Sequence, residues 1–151
     1  MDTKNNRVIN KYTLVQFMLR EEVYWWLELA KRDLDRARRA VEQDDRVSMV
    51  FWSQQAVEKA LKALALAIKR DVPKTHNIRR LKEFIGIDLG LSPDIWEKAY
   101  ELTQYYYVSR YPDIVEGIPD EVIGSKTGKE AVVVAEKIIE AVVNEIKRRA
   151  T

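Results

Sequence analysis

Apolar positions recur at intervals of three and four along most of the chain. Val47, Val50, Val57, Leu61, Leu64 and Ile68 make one such stripe, which α-helical geometry stacks on a single face. Gln54 fills the missing slot of that stripe. Ala56, Ala60, Ala63 and Ala67 line the adjoining flank, and side chains this small let a neighbouring helix approach closely. Gln55, Lys59, Lys62 and Lys69 are left for the far side, facing water. A helix that is apolar on two flanks belongs at the centre of a bundle.

The same spacing outlines its neighbours. Val23, Leu27, Ala30, Leu34, Ala37 and Val41 predict a preceding helix whose outer face carries Arg32, Arg36 and Arg39 beside Asp33 and Asp35. Glu28 to Arg32 and Asp35 to Arg39 are i,i+4 pairs worth ~0.2–0.5 kcal/mol each, as expected of a solvated face. Residues 1–10 are polar, and Tyr12, Val15, Phe17, Met18 and Leu19 suggest a short lead-in helix. Residues 1–20 therefore read as an N-terminal extension and 21–150 as the bundle. Asp44 and Asp45 offer an N-cap for the central helix, and Pro73 ends it near Arg70. Ile78, Leu81, Phe84 and Ile85 predict a short third helix closed by Gly86 and Gly90. Ser92-Pro93-Asp94 then starts a fourth, with serine as cap and proline at the first helical position. Trp96, Tyr100, Thr103 and Tyr107 form its stripe, with Leu102, Tyr105 and Tyr106 beside it, to about Val108.

Arg110-Tyr111-Pro112-Asp113 ends that helix. Residues 112–127 contain Pro112, Gly117, Pro119 and Gly124 and predict a long loop. The pattern Thr127-Gly128-Lys129-Glu130 is that of a capping box, opening a last helix to about Arg149. Ala131, Ala135, Ile138, Val142 and Ile146 give its buried stripe. Val132, Val133, Ile139 and Val143 widen it, so this helix packs on two neighbours. The elements add up to an all-α fold, an antiparallel up-down bundle of four to five helices.

Composition narrows the chemistry. At 151 residues, one domain with one core is expected. Lysine and arginine number 26 against 24 acids, a formal charge of +2, which argues against general polyanion binding while leaving room for a local basic patch. The absence of cysteine removes disulfides and thiolate chemistry. With His76 the only histidine, a multi-histidine metal site within one chain is excluded. No metal and no cofactor is expected. No apolar run reaches the ~20 residues of a membrane span, and no leader pattern follows the N-terminus, so a cytoplasmic protein is expected. Trp25, Trp52, Trp96 and the tyrosine cluster exceed what a core of this size hides, which predicts a symmetric homodimer.

Two places carry candidate ligand chemistry. Arg110 lies among Tyr106, Tyr107 and Tyr111, and an arginine among aromatic rings can stack on a base or clamp a phosphate. Alternatively Asp113 pairs with Arg110 and fixes the turn at the helix end. Lys59 and Lys62 either line a solvated face or bind phosphate. His76, in a loop between helices, can cap a helix end or hydrogen-bond a backbone carbonyl.

The stretch Ser53-Gln54-Gln55-Ala56-Val57-Glu58-Lys59-Ala60-Leu61-Lys62-Ala63, followed by Thr75-His76-Asn77-Ile78 and Leu81, resembles the HEPN domain family. The resemblance covers roughly residues 21–147 and includes the segment from Tyr106 that ends Arg110-Tyr111-Pro112-Asp113. It implies a bundle of four or five helices, usually dimeric, that binds nucleotides or RNA. It further implies a separate minimal nucleotidyltransferase as partner, in a toxin–antitoxin pair. The ribonucleases of this family carry arginine, four to six residues, then histidine. There, histidine can take the proton of a ribose 2′-hydroxyl while arginine stabilises the phosphoryl oxygens. Arg70 and His76, with five residues between them, meet that spacing. They straddle the end of the central helix, however, whereas the family motif belongs near Arg110, after which no histidine occurs. Ile78 stands where some toxin members carry a tyrosine that is modified. The resulting expectation is a nucleotide- or RNA-binding protein, with a metal-independent endoribonuclease toxin or a ligand-free scaffold as alternatives.

Overall fold

The computed structural model describes residues 11–150; the polar segment 1–10 lies outside the described residues. Among them every regular element is helical: α1 (Lys11–Glu42), α2 (Arg46–Lys69), α3 (Ile78–Ile85), α4 (Pro93–Val108), α5 (Pro112–Val115), α6 (Pro119–Val122) and α7 (Ser125–Ala150). The expected all-α bundle is what forms. No helix among the described residues is long and apolar enough to cross a membrane.

Helices α1 and α2 are joined by a tight turn in which Asp44 adopts a left-handed φ of 51°. Asp45 is the N-cap of α2, its carboxylate accepting the Ser48 N–H at 3.2 Å and the Ser48 hydroxyl at 2.6 Å. Such a cap contributes about 1 kcal/mol. At the other end Arg70 takes a left-handed conformation and its N–H returns to the Leu66 carbonyl. That closure lets Pro73 redirect the chain without breaking a helical bond.

Helix α2 is central, packed by α1, α3, α4 and α7. Val57, Leu61 and Leu64 are fully buried on it, as are Ala56, Ala60 and Ala63 on its small-residue flank. Leu34 of α1, Leu81 of α3, Leu102 of α4 and Ile138 of α7 complete the same core. Gly128 lets α7 come close to α2: a Cβ there would lie 2.6 Å from the Met49 sulfur. Helix α3 is tied to α4 by the Ile78 N–H, which donates to Thr103 Oγ1 at 3.1 Å, and by Arg79 over the Tyr100 ring at 4.0 Å.

Several expectations change. There is no separate lead-in helix; α1 runs unbroken from Lys11. Asp33, assigned to the outer face of that helix, is fully buried, because Lys59 of α2 and Arg36 of α1 enclose its carboxylate at 2.5 and 2.6 Å. Lys62 does not face water but is buried, and Lys59 is only partly exposed. Val133 faces outward, 48% exposed. The long loop contains the two single turns α5 and α6. Helix α7 opens at Ser125, with the Gly128 N–H bonded to the Gly124 carbonyl at 3.1 Å, so Thr127 sits inside the first turn and is no cap. Ile123 is buried against the core just before it, and the helix starts three residues earlier than a Thr127 cap would place it.

Candidate functional site

A row of polar side chains runs along α2 where α1 and the α2–α3 connection meet it. Gln54, Glu58 and Lys62 are spaced i,i+4 and so share one face; all three are buried. A carboxylate withdrawn from water is stable only when its oxygens are matched by donors. Glu58 Oε2 accepts from Lys62 Nζ at 3.3 Å, and Oε1 accepts from Gln54 Nε2 at 3.2 Å. The third donor comes from outside the helix: His76 Nδ1 lies 2.8 Å from Glu58 Oε1. Gln54 also donates to the His76 carbonyl at 3.4 Å, so the backbone and ring of this residue are held together. Because an ionised carboxylate only accepts, the hydrogen of this contact resides on Nδ1, and Nε2 is not used by Glu58.

The His76 ring stacks on Tyr106 of α4, with centroids 4.3 Å apart and planes 17° from parallel. Tyr106 in turn is offset-stacked on Phe51 of α2 at 6.3 Å and meets Tyr107 edge-on at 5.2 Å. Over this surface lies Arg110, just past the end of α4, its guanidinium carbon 4.7 Å from the Tyr106 centroid and 5.0 Å from that of Phe51. Stacking leaves the guanidinium N–H groups at the rim of the plane available to an acceptor. Among the described residues Arg110 has no ion pair, so the alternative arrangement, a bridge to Asp113, is not present. Tyr111 and Asp113 are exposed and are not part of the stack.

The other candidates fall elsewhere. Arg70 caps α2 and is exposed; His76 is held by Glu58 instead. The histidine therefore neither caps a helix nor bonds a backbone carbonyl with its ring. Lys62 serves Glu58 and sits 5.6 Å over the Trp26 ring, while Lys59 serves Asp33. Both lysines build the frame rather than a solvated face. Gln54 is foreseen as a member of the buried stripe, but Gln54, Glu58 and Phe51 are not foreseen as parts of the site, although the i,i+4 ladder Gln54–Glu58–Lys62 is a usable signal. No cluster of three metal-ligating side chains occurs among the described residues.

In chemical terms the surface offers a flat aromatic platform, an imidazole of defined tautomer and an un-neutralised guanidinium. Planar bases and phosphate oxygens are the groups that such a set recognises.

A sequence model of the HEPN domain matches residues 23–146. A crystal structure of a protein from Thermus thermophilus is similar with a TM-score of 0.74 and 32% identity, over 82% of this chain and 97% of that one. An archaeal HEPN homologue is similar with a TM-score of 0.67 and 32% identity, over 83% of this chain and 98% of that one. No curated protein matched.

Proposed function

The chain belongs to the HEPN domain family, and on that premise we propose that it binds nucleotides or RNA through the face formed by Arg110, Tyr106, Phe51 and His76. The observation that carries this reading is the guanidinium of Arg110 stacked over two rings, with no carboxylate among the described residues to neutralise it. A structural arginine at a helix end would bond the terminal carbonyls or a nearby acid. A base stacking beside Tyr106 and a phosphate on the guanidinium rim would use all the groups present, with the exposed Tyr111 ring a further stacking candidate. Titration of a short single-stranded RNA or one nucleotide into wild type, Arg110→Ala and Arg110→Lys tests it. Charge-assisted bonds to phosphate are worth ~1.5–3 kcal/mol, so alanine should weaken binding about ten- to a hundred-fold. Lysine should restore it only in part, lacking the planar fork. Equal affinity for all three proteins would falsify the reading.

The protein acts in this reading as a cytoplasmic homodimer. The apolar side chains Met18, Trp25 and Leu29 on α1 are 58%, 57% and 43% exposed, which supports a second copy packed there. Family membership supports a separate minimal nucleotidyltransferase as partner in a toxin–antitoxin module; co-purification of the two chains tests that part.

A second reading, a metal-independent endoribonuclease, is favoured by one observation. Glu58 engages His76 at Nδ1 over 2.8 Å, which leaves Nε2 as the ring nitrogen with which a neutral imidazole would take a proton as general base. Incubating RNA with the protein in chelator, with wild type and His76→Ala compared, tests it: cleavage by wild type that the substitution abolishes supports this reading, and intact RNA with both rejects it.

A further inference from the structure

An open groove of about 500 Å³ lies between the first halves of α4 and α7. Its size falls within the roughly 300–1,000 Å³ of small-molecule sites. Lys98 of α4 and Lys126, Lys129 and Lys137 of α7 line it. Two of these ammonium groups are matched within their own helices, Lys98 by Asp94 at 3.3 Å and Lys126 by Glu130 at 4.0 Å. Lys129 and Lys137 have no ion pair among the described residues. Between them on the same face, at i+4, is Val133, and the three span about 12 Å of helix.

Val133 is the informative residue. On a solvated helix face a position flanked by two lysines is ordinarily polar. Here a valine is 48% exposed, and Ile95 faces the same cavity from α4. The groove therefore presents an apolar floor beneath two uncompensated cations. Lysine holds phosphate as a mobile point charge and demands no fixed fork geometry, so its four-carbon stems can converge on one anion from positions eight residues apart. We infer that this groove binds a phosphorylated small molecule with an apolar body. The phosphate oxygens lie against Lys129 and Lys137, and the apolar body covers Val133 and Ile95. Neither group belongs to the Arg110 face, so the inference stands apart from the function proposed above.

The test uses ATP and inorganic triphosphate as probes, titrated calorimetrically into Arg110→Ala protein, in which the other face is disabled. ATP binding is expected there, and adding Lys129→Ala with Lys137→Ala should weaken it at least about tenfold, as the loss of charge-assisted contacts requires. Val133→Asp should weaken it similarly. Replacing both lysines by arginine should retain binding within about threefold, since the charge persists. Inorganic triphosphate should bind more weakly than ATP, having nothing to cover the floor. These positions are exposed, so thermal melts should match the parent within about 2 °C. Absence of ATP binding in the Arg110→Ala protein, indifference to the lysine substitutions, or triphosphate binding as tightly as ATP would each overturn the site. RNA binding by wild type that is lost on Arg110→Ala but not on the lysine substitutions leaves the proposed function standing while the groove fails.

Discussion

His76 Nδ1 donates to Glu58 Oε1 over 2.8 Å, across 18 positions of sequence. The carboxylate is 5% exposed at its side chain and the imidazole 46%. A buried anion thus holds a half-exposed ring against Tyr106, and through that ring it orders the surface on which Arg110 rests. The frame and the candidate ligand face are one network.

Removing Glu58 should therefore be costly. Glu58→Ala strands the Lys62 ammonium, itself 10% exposed, and breaking one half of a buried pair costs roughly 3–5 kcal/mol. Urea denaturation should show a loss of unfolding free energy of that size, while Glu58→Gln, which keeps the shape, should lose less. A shift below about 1 kcal/mol for the alanine variant would mean the network is not holding α2 to the α2–α3 connection.

Asp33 and Asp35 offer a matched comparison on α1. The Asp33 side chain is 1% exposed, between Lys59 and Arg36, whereas that of Asp35 is 58% exposed, with Arg38 at 3.4 Å. Asp33→Ala should destabilise by about 1–3 kcal/mol, since two donors lose a buried acceptor that water replaces only in part. Asp35→Ala should stay within about 0.5 kcal/mol. Chemical denaturation of the pair measures both.

Assembly can be probed at Trp25. With Met18 and Leu29 it forms an exposed apolar strip on α1, and a charge placed at the centre of such a strip opposes its burial in an interface. Light scattering at micromolar concentration should give a dimer mass for wild type and a monomer mass for Trp25→Asp. A wild-type monomer would exclude the strip as a dimer contact.

Alkaline stability should depend on Tyr105. Burial, and then the carboxylates of Glu101 and Glu130, raise its phenol above the ordinary value. Up to about pH 10 the phenol is neutral in both folded and unfolded chains, so its contribution is fully present. Above that the unfolded chain releases the proton first while the folded chain retains it, and stability falls with rising pH until the folded phenol also ionises. Melting temperatures between pH 9 and 11 should decline less for Tyr105→Phe than for wild type; parallel declines would show that other groups set the alkaline limit.

By itself the sequence determined the helices. Periodicity of Val57, Leu61 and Leu64 marks the buried face of α2 whatever packs against it, and Asp45, Ser92 and Pro73 act on the backbone within a few residues of themselves. Family membership was likewise legible, from the side-chain order along α2 and at Thr75-His76-Asn77, and the family model matches residues 23–146. Tertiary structure decided which polar residues are interior. Lys62 and Asp33 read as surface because charge usually stays in water, yet each finds an opposite charge within 3.3 Å on burial, and one of the two Asp33 partners, Lys59, lies on another helix. It also decided the companions of Arg110: the neighbour in sequence, Asp113, is not its contact, while Phe51, 59 positions away, is. Local rules act over one helical turn, whereas a site is assembled where helices cross, and the crossings are set by shape and by the matching of buried charge.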